Sequence, residues 1–110
     1  MQVDESTDGD VRILTLTGRL DAMTSPPVEG RLLEAVRHAP AVVLDLSGLD
    51  YVSSAGLRIL LKAGKEAKVA KSRLALAALR PVVQEVFEVS GFFSILTAYA
   101  SRAEALAAVR

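Results

Sequence analysis

Between Ala41 and Leu61 the chain reads AVVLDLSGLDYVSSAGLRILL, and its apolar pattern changes character twice. Val42, Val43 and Leu44 form an unbroken apolar run, with Leu46 after Asp45, as in a strand covered on both faces. Ser47, Gly48 and Asp50 then supply turn chemistry. Leu57, Leu60 and Leu61 resume the apolar pattern at helical spacing. The segment predicts a buried strand over 41–46, a polar turn, and a helix from near Ser54 to about Ala70. Gly64 falls on the Leu57–Leu60–Leu61 face of that helix. A glycine there costs about 1 kcal/mol against alanine, so close packing of helix on sheet is expected in return.

The flanking residues fill in the order. Residues 1–10 are polar and are expected to be frayed, apart from a short strand around Val3. Val11 to Thr17 reads as a strand ending at Gly18, followed by a turn over 18–21 with Leu20 plugging the core. Ser25 before Pro26 reads as an N-cap with proline at the first helical position. Val28, Leu32, Ala35, Val36 and Ala39 mark one face of a helix ending near Pro40. Arg73 to Leu79 is ambiguous by period, and its place between two helices favours a strand. Val82, Val83, Val86 and Phe87 stripe a short helix stopping at Gly91. Phe93, Ile95 and Leu96 predict a last strand, and Ser101 with Glu104 forms a capping box for a terminal helix. The result is an α/β domain, with a mixed but mostly parallel sheet of five strands and four helices. The two N-terminal strands can only be an antiparallel hairpin. No repeat, linker or low-complexity stretch interrupts the 110 residues, so a single domain over 1–110 is expected.

Composition narrows the partners. Lys plus Arg and Asp plus Glu number 13 each, so no bulk charge calls for nucleic acid or an acidic membrane. Without cysteine there are no disulfides and no thiolate metal sites. The acidic start MQVDESTDGD is unlike a secretion signal and no apolar run spans a membrane, so a cytoplasmic location without membrane insertion is expected.

Enzymatic chemistry finds little support. Neither a P-loop nor GxGxxG occurs, and VSSAGL is not a GxSxG elbow. His38, the one histidine, falls at the end of the first helix and reads as a surface residue. Asp21, Asp45 and Asp50 could converge above the sheet, but the plainer reading makes Asp21 and Asp50 turn residues and Asp45 a strand-end hydrogen bonder. Ser53 and Ser54, at a helix N-terminus beyond the carboxyl end of a central strand, are in the ordinary case an N-cap.

The segment LDLSGLDYVSSAGLRILL, with LTGRLDAMT at 16–24 and LRPVVQEVFEVSGFFSIL at 79–96, resembles the STAS-domain family, specifically the anti-sigma factor antagonists. The resemblance spans nearly the whole chain. It implies a non-enzymatic, cofactor-free binding module in a partner-switching pathway. The unmodified form would bind an anti-sigma factor that is also a serine kinase of the histidine-kinase-like ATPase fold, and so free the sigma factor. Phosphorylation of the family serine, here Ser54 with Ser53 as rival, would end binding, and a PPM-type serine phosphatase would restore it. Many members carry Asp before that serine and Ser or Thr after it, where this chain has Ser53 and Ala55. Arg58, Lys62 and Lys65 share one side of the helix, so the partner-binding set expected is Asp21, Ser53, Ser54, Ala55, Gly56, Arg58, Lys62 and Lys65. Small members of the family also serve as accessory subunits of lipid-transport ABC complexes, a role that needs no phosphoswitch.

Overall fold

The structure, a computed structural model, describes residues 1–91 and 96–110. Its elements run β1 (Gln2–Asp8), β2 (Val11–Leu20), α1 (Ser25–His38), β3 (Ala41–Val52), α2 (Ser54–Ala70), β4 (Arg73–Ala77), α3 (Pro81–Val89), β5 (Thr97–Tyr99) and α4 (Arg102–Val109). The strands form one sheet in the order β1-β2-β3-β4-β5, antiparallel at β1–β2 and parallel elsewhere. Five strands, four helices and a mostly parallel sheet match the expected architecture.

Burial explains the layers. Residues 41–46 are buried without a break because β3 is central and covered on both faces. On one face Leu14, Leu16, Leu44, Leu46 and Leu76 meet Val28, Leu32 and Val36 of α1, Leu60 and Ala63 of α2, and Val83 and Phe87 of α3. On the other face Val11, Ile13, Val43, Ala75 and Ala77 are covered by α4 through Ala105 and Val109. The predicted compensation for Gly64 is real: a Cβ there would lie 2.9 Å from Leu96 Cδ2, so the missing side chain makes room for a core leucine.

Several boundaries differ from expectation, each for a tertiary reason. Residues 2–8 are not frayed but form a full strand, held to β2 by register from Gln2–Thr17 to Asp8–Val11. Glu5 ties that strand to β2 and α1 by accepting from Arg12 at 2.5 Å and Arg31 at 3.3 Å. β2 does not stop at Gly18, and Ser47, Gly48 and Asp50 are not a turn, because β2 and β3 stay paired to Leu20 and Val52. The N-cap of α1 is Thr24, not Ser25; Ser25 is buried and its hydroxyl donates to the Asp21 carbonyl at 2.5 Å. Val82 is 56% exposed, so only Val83, Val86 and Phe87 of the predicted α3 stripe face inward. The last strand is 97–99. Leu96 precedes it as a buried core residue, while Phe93 and Ile95, like Phe92, lie outside the described residues.

The capping box is formed: the Ser101 hydroxyl accepts from the Glu104 N–H at 3.2 Å, and the Glu104 carboxylate accepts from the Ala100 N–H at 3.2 Å. At the start of α4, Arg102 donates Nε to Asp45 Oδ2 at 2.9 Å and Nη2 to the Thr15 hydroxyl at 2.9 Å. Burial of Asp45 favours its protonated form, but bonds from Ser47 and Arg102 outweigh this and hold its pKa below the ordinary carboxylate value. Such a group adds stability above its unfolded pKa, near 4, and that stability drains away as pH falls through the folded value. Asp45→Asn should therefore be less stable than wild type at pH 7, with the gap closing as acid melts are taken from about pH 5 toward pH 3.

Candidate functional site

The site is built where β2, β3 and α2 meet. Ser53 leaves β3 in an extended conformation, φ −90° and ψ 175°, as the N-cap of α2. Its N–H donates to the Leu20 carbonyl at 2.9 Å, its hydroxyl accepts from Gly56 N–H at 3.2 Å, and its carbonyl accepts from Leu57 N–H at 2.8 Å. Gly56 is buried against the end of β2, where a Cβ would come within 2.8 Å of the Leu20 carbonyl oxygen and 2.9 Å of Val52 Cγ2. Ser54 is the first helical residue and is exposed, with Ala55 half-buried beside it. The amides of Ser54 and Ala55 precede the first intrahelical bond, and no acidic side chain occupies the first turn. The positive end of the helix dipole therefore faces outward at Ser54.

Asp21 makes the neighbouring turn. Its Oδ1 accepts from the N–H of Thr24 at 3.1 Å and of Met23 at 3.0 Å, bonds that hold its carboxyl below the usual range against the opposing effect of desolvation. Asp45 and Asp50 do not join it. Asp45 faces Arg102, and Asp50 pairs with Arg80 at 2.6 Å, so the three carboxylates serve three separate contacts. His38 is the expected surface residue, with Nδ1 2.9 Å from the Glu34 carbonyl.

Arg58, Lys62 and Lys65 are all exposed on α2, as the helical spacing requires. Lys62 is taken by Glu29 of α1 at 2.9 Å, whereas Arg58 and Lys65 make no ion pair among the described residues. The sequence did not single out Met23 or Arg19. Met23 is 90% exposed at the tip of the Asp21 turn, and the Arg19 guanidinium lies 4.2 Å from the centre of the Tyr51 ring. A methionine directly after Asp21-Ala22 in a polar turn was the available signal. The Arg19–Tyr51 contact depends on strand register and has no local signature. Met23 lies beside Met1, Val3, Pro27 and Arg31, toward β1 and the start of α1, while Arg19 and Tyr51 pair across the ends of β2 and β3.

Among the described residues no group of three or more His, Asp or Glu could hold a metal ion, and no helix is long and apolar enough to cross a membrane.

A Cβ at position 56 would meet the Leu20 carbonyl oxygen, which is backbone, together with the branch atoms of the buried Leu20 and Val52 side chains. Gly56→Ala should cost about 1–3 kcal/mol in denaturant unfolding. Ser53→Ala should cost about 1 kcal/mol through loss of the cap, leaving Ser54 in place.

Comparison with known proteins bears on the family and the fold. A family described as "Mlab, STAS domain" matches residues 3–97. BtrV of Bordetella bronchiseptica, which bears the name of an anti-sigma factor antagonist, is 41% identical over 99 residues, covering 89% of this chain and 85% of BtrV. The anti-sigma F factor antagonist of Paenibacillus polymyxa is 30% identical over 108 residues, 96% of this chain and 92% of that one. Among solved structures, an anti-sigma factor antagonist from Mycobacterium paratuberculosis superposes with a TM-score of 0.91 at 24% identity, over 99% of this chain and 93% of that one. SpoIIAA has the same fold at 20% identity in both states. Its unphosphorylated form gives a TM-score of 0.81 over 99% of this chain and 96% of that one. The phosphorylated form, from Bacillus, gives 0.75 over 99% and 100%.

Proposed function

The chain belongs to the STAS-domain family of anti-sigma factor antagonists, and we propose that it is the phosphoryl-controlled component of a partner switch. In this reading the unmodified protein, in the cytoplasm, binds an anti-sigma factor and so releases a sigma factor. That anti-sigma factor is a serine kinase of the histidine-kinase-like ATPase fold, and it phosphorylates Ser54. A PPM-type serine phosphatase returns the protein to its binding state. The chain itself supplies an acceptor hydroxyl and a docking surface made by Asp21, Ser53, Ser54, Ala55, Arg58 and Lys65; Gly56, expected in that set, is buried beneath it, and Lys62 is held by Glu29.

The observation that carries the reading is the division of labour between two adjacent serines. Ser53 spends its hydroxyl on the cap, while Ser54 presents an exposed hydroxyl one residue on. The same geometry explains why modification can be tolerated by the fold. A phosphate at a helix N-terminus meets free N–H groups and the favourable end of the dipole. Ser53 and Ala55 put no carboxylate beside it, and Arg58 stands four residues on, one helical turn away.

The effect on a partner is opposite in sign. A phosphate adds about −1.5 to −2 charges to the surface. Enclosed in an interface without a cation, such charge costs several kcal/mol, and each 1.4 kcal/mol is tenfold in affinity. A loss of about 100-fold or more in binding is therefore expected on phosphorylation.

Incubation with ATP and the cognate kinase, followed by fragment mass spectrometry, should place one phosphate on Ser54. Ser54→Ala should take up none and still bind the kinase, Ser53→Ala should still be modified, and Ser54→Asp should bind more weakly. Phosphate on Ser53 alone would overturn the assignment. Arg58→Glu combined with Lys65→Glu should weaken kinase binding, and unchanged affinity would remove the basic side of α2 from the docking surface.

A further inference from the structure

β3 outruns its neighbour. Its pairing with β4 ends at Asp45–Ala77, while the strand itself continues to Val52. Beyond Asp45 it is held along the β2 side by a ladder that slips twice. Between the pairs Thr15–Asp45 and Thr17–Gly48, Leu16 stands opposite both Leu46 and Ser47. Between Gly18–Leu49 and Arg19–Tyr51, Asp50 is an extra residue. Bulges are uncommon in parallel pairs and serve to re-aim side chains next to functional sites. Meanwhile β4 ends at Ala77: the Ala78 N–H still donates to the Tyr99 carbonyl at 2.9 Å, and the left-handed φ of +58° at Ala78 turns the chain that follows.

One side chain reaches both bulges from the side β4 has left. Arg80, the residue before α3, donates Nε to the Ser47 carbonyl at 2.7 Å and pairs Nη1 with Asp50 Oδ1 at 2.6 Å. The Ser47 N–H is taken by Asp45 Oδ1 at 2.9 Å, so side chains satisfy both backbone groups of the residue at the first bulge. We infer that Arg80 is a positioning residue for Ser54: its guanidinium stands in for the absent strand, pins both bulges, and thereby sets where Tyr51, Ser53 and Ser54 are presented. The inference rests on the reading of Ser54 as phosphoryl acceptor.

The chemistry requires arginine. One rigid fork must serve a carbonyl and a carboxylate at once, which a lysine ammonium on a flexible stem does not reproduce. The Arg80–Asp50 pair is half-exposed on both sides, 51% and 57%, so its contribution to global stability is small and its effect is local. A chain whose presenting segment is ordered only part of the time binds with an affinity reduced by that fraction.

Hydrogen exchange on the full chain, paired with steady-state phosphorylation by the cognate serine kinase, tests this. Arg80→Ala and Arg80→Lys should both speed exchange across residues 46–54 about tenfold, leaving α1 and α4 unchanged. Both should raise KM for the protein substrate by a similar factor, about tenfold, with kcat held. Asp50→Asn, which leaves the bond to Ser47, should give a smaller change in the same direction. Unaltered exchange over 46–54, full rescue by lysine, or a uniform rise over the whole chain would each overturn the inference. Should the wild-type chain take no phosphate on Ser54, the acceptor reading fails by itself, and the exchange pattern still decides whether Arg80 fixes the extension.

Discussion

The seating of α2 on the carboxyl end of β2 is the constraint on which the upper part of the molecule depends. The Leu20 carbonyl receives the Ser53 N–H, and Gly56 lies so close to the same oxygen that any side chain would strike backbone. The contact fixes the residue at which the helix begins. Ser53 is thereby made the cap, Ser54 is left as the first exposed hydroxyl, and Arg58 and Lys65 are turned outward on the same helix. Gly64, two turns further, repeats the device against Leu96 and keeps the helix close to the sheet along its length. Two glycines that weaken the helix locally are repaid by how near they let it lie.

The extension of β3 solves a related problem. Leu44, Leu46, Leu49 and Val52 all enter one core, although their spacing of two, three and three residues fits no regular strand. Each bulge adds one residue, which restores the inward direction at Leu49 and again at Val52. The polar residues that fall between them are thereby pushed to the surface, where Asp50 and Tyr51 find Arg80 and Arg19. Core packing and surface chemistry are set by the same two irregularities.

Those irregularities also mark where sequence reasoning stops. Elements with a clean period were legible: the buried run of β3, the inward face of α1, the start of α2, and the Ser101–Glu104 box. Ser47, Gly48 and Asp50 read as a turn because local composition signals a break in alternation equally well for a turn and a bulge. β1 read as frayed because Val3 is its one apolar contact with the core and Glu5 depends on Arg12 and Arg31, distant in sequence. At the site, the family resemblance pointed to Ser54 with Ser53 as rival, and what the sequence did not show is that the Ser53 hydroxyl is engaged as the cap. Lys62 looked as free as Arg58 until Glu29 of α1 was placed opposite it.

The acidic edge of the sheet bears on how many copies of the protein can share a solution. β1 presents an outer row of backbone donors and acceptors, the usual template for unwanted strand addition. Its charges are largely met within the chain, Glu5 by Arg12 and Arg31 and Asp8 by Arg110 at 2.6 Å, which leaves Asp4, bonded to Gln2, as the carboxylate of β1 without an ion pair among the described residues. Strand addition at this edge would have to disturb the pairs that hold Glu5 and Asp8 and bring Asp4 against further carboxylates, and the face that carries Ser54 takes no part in it.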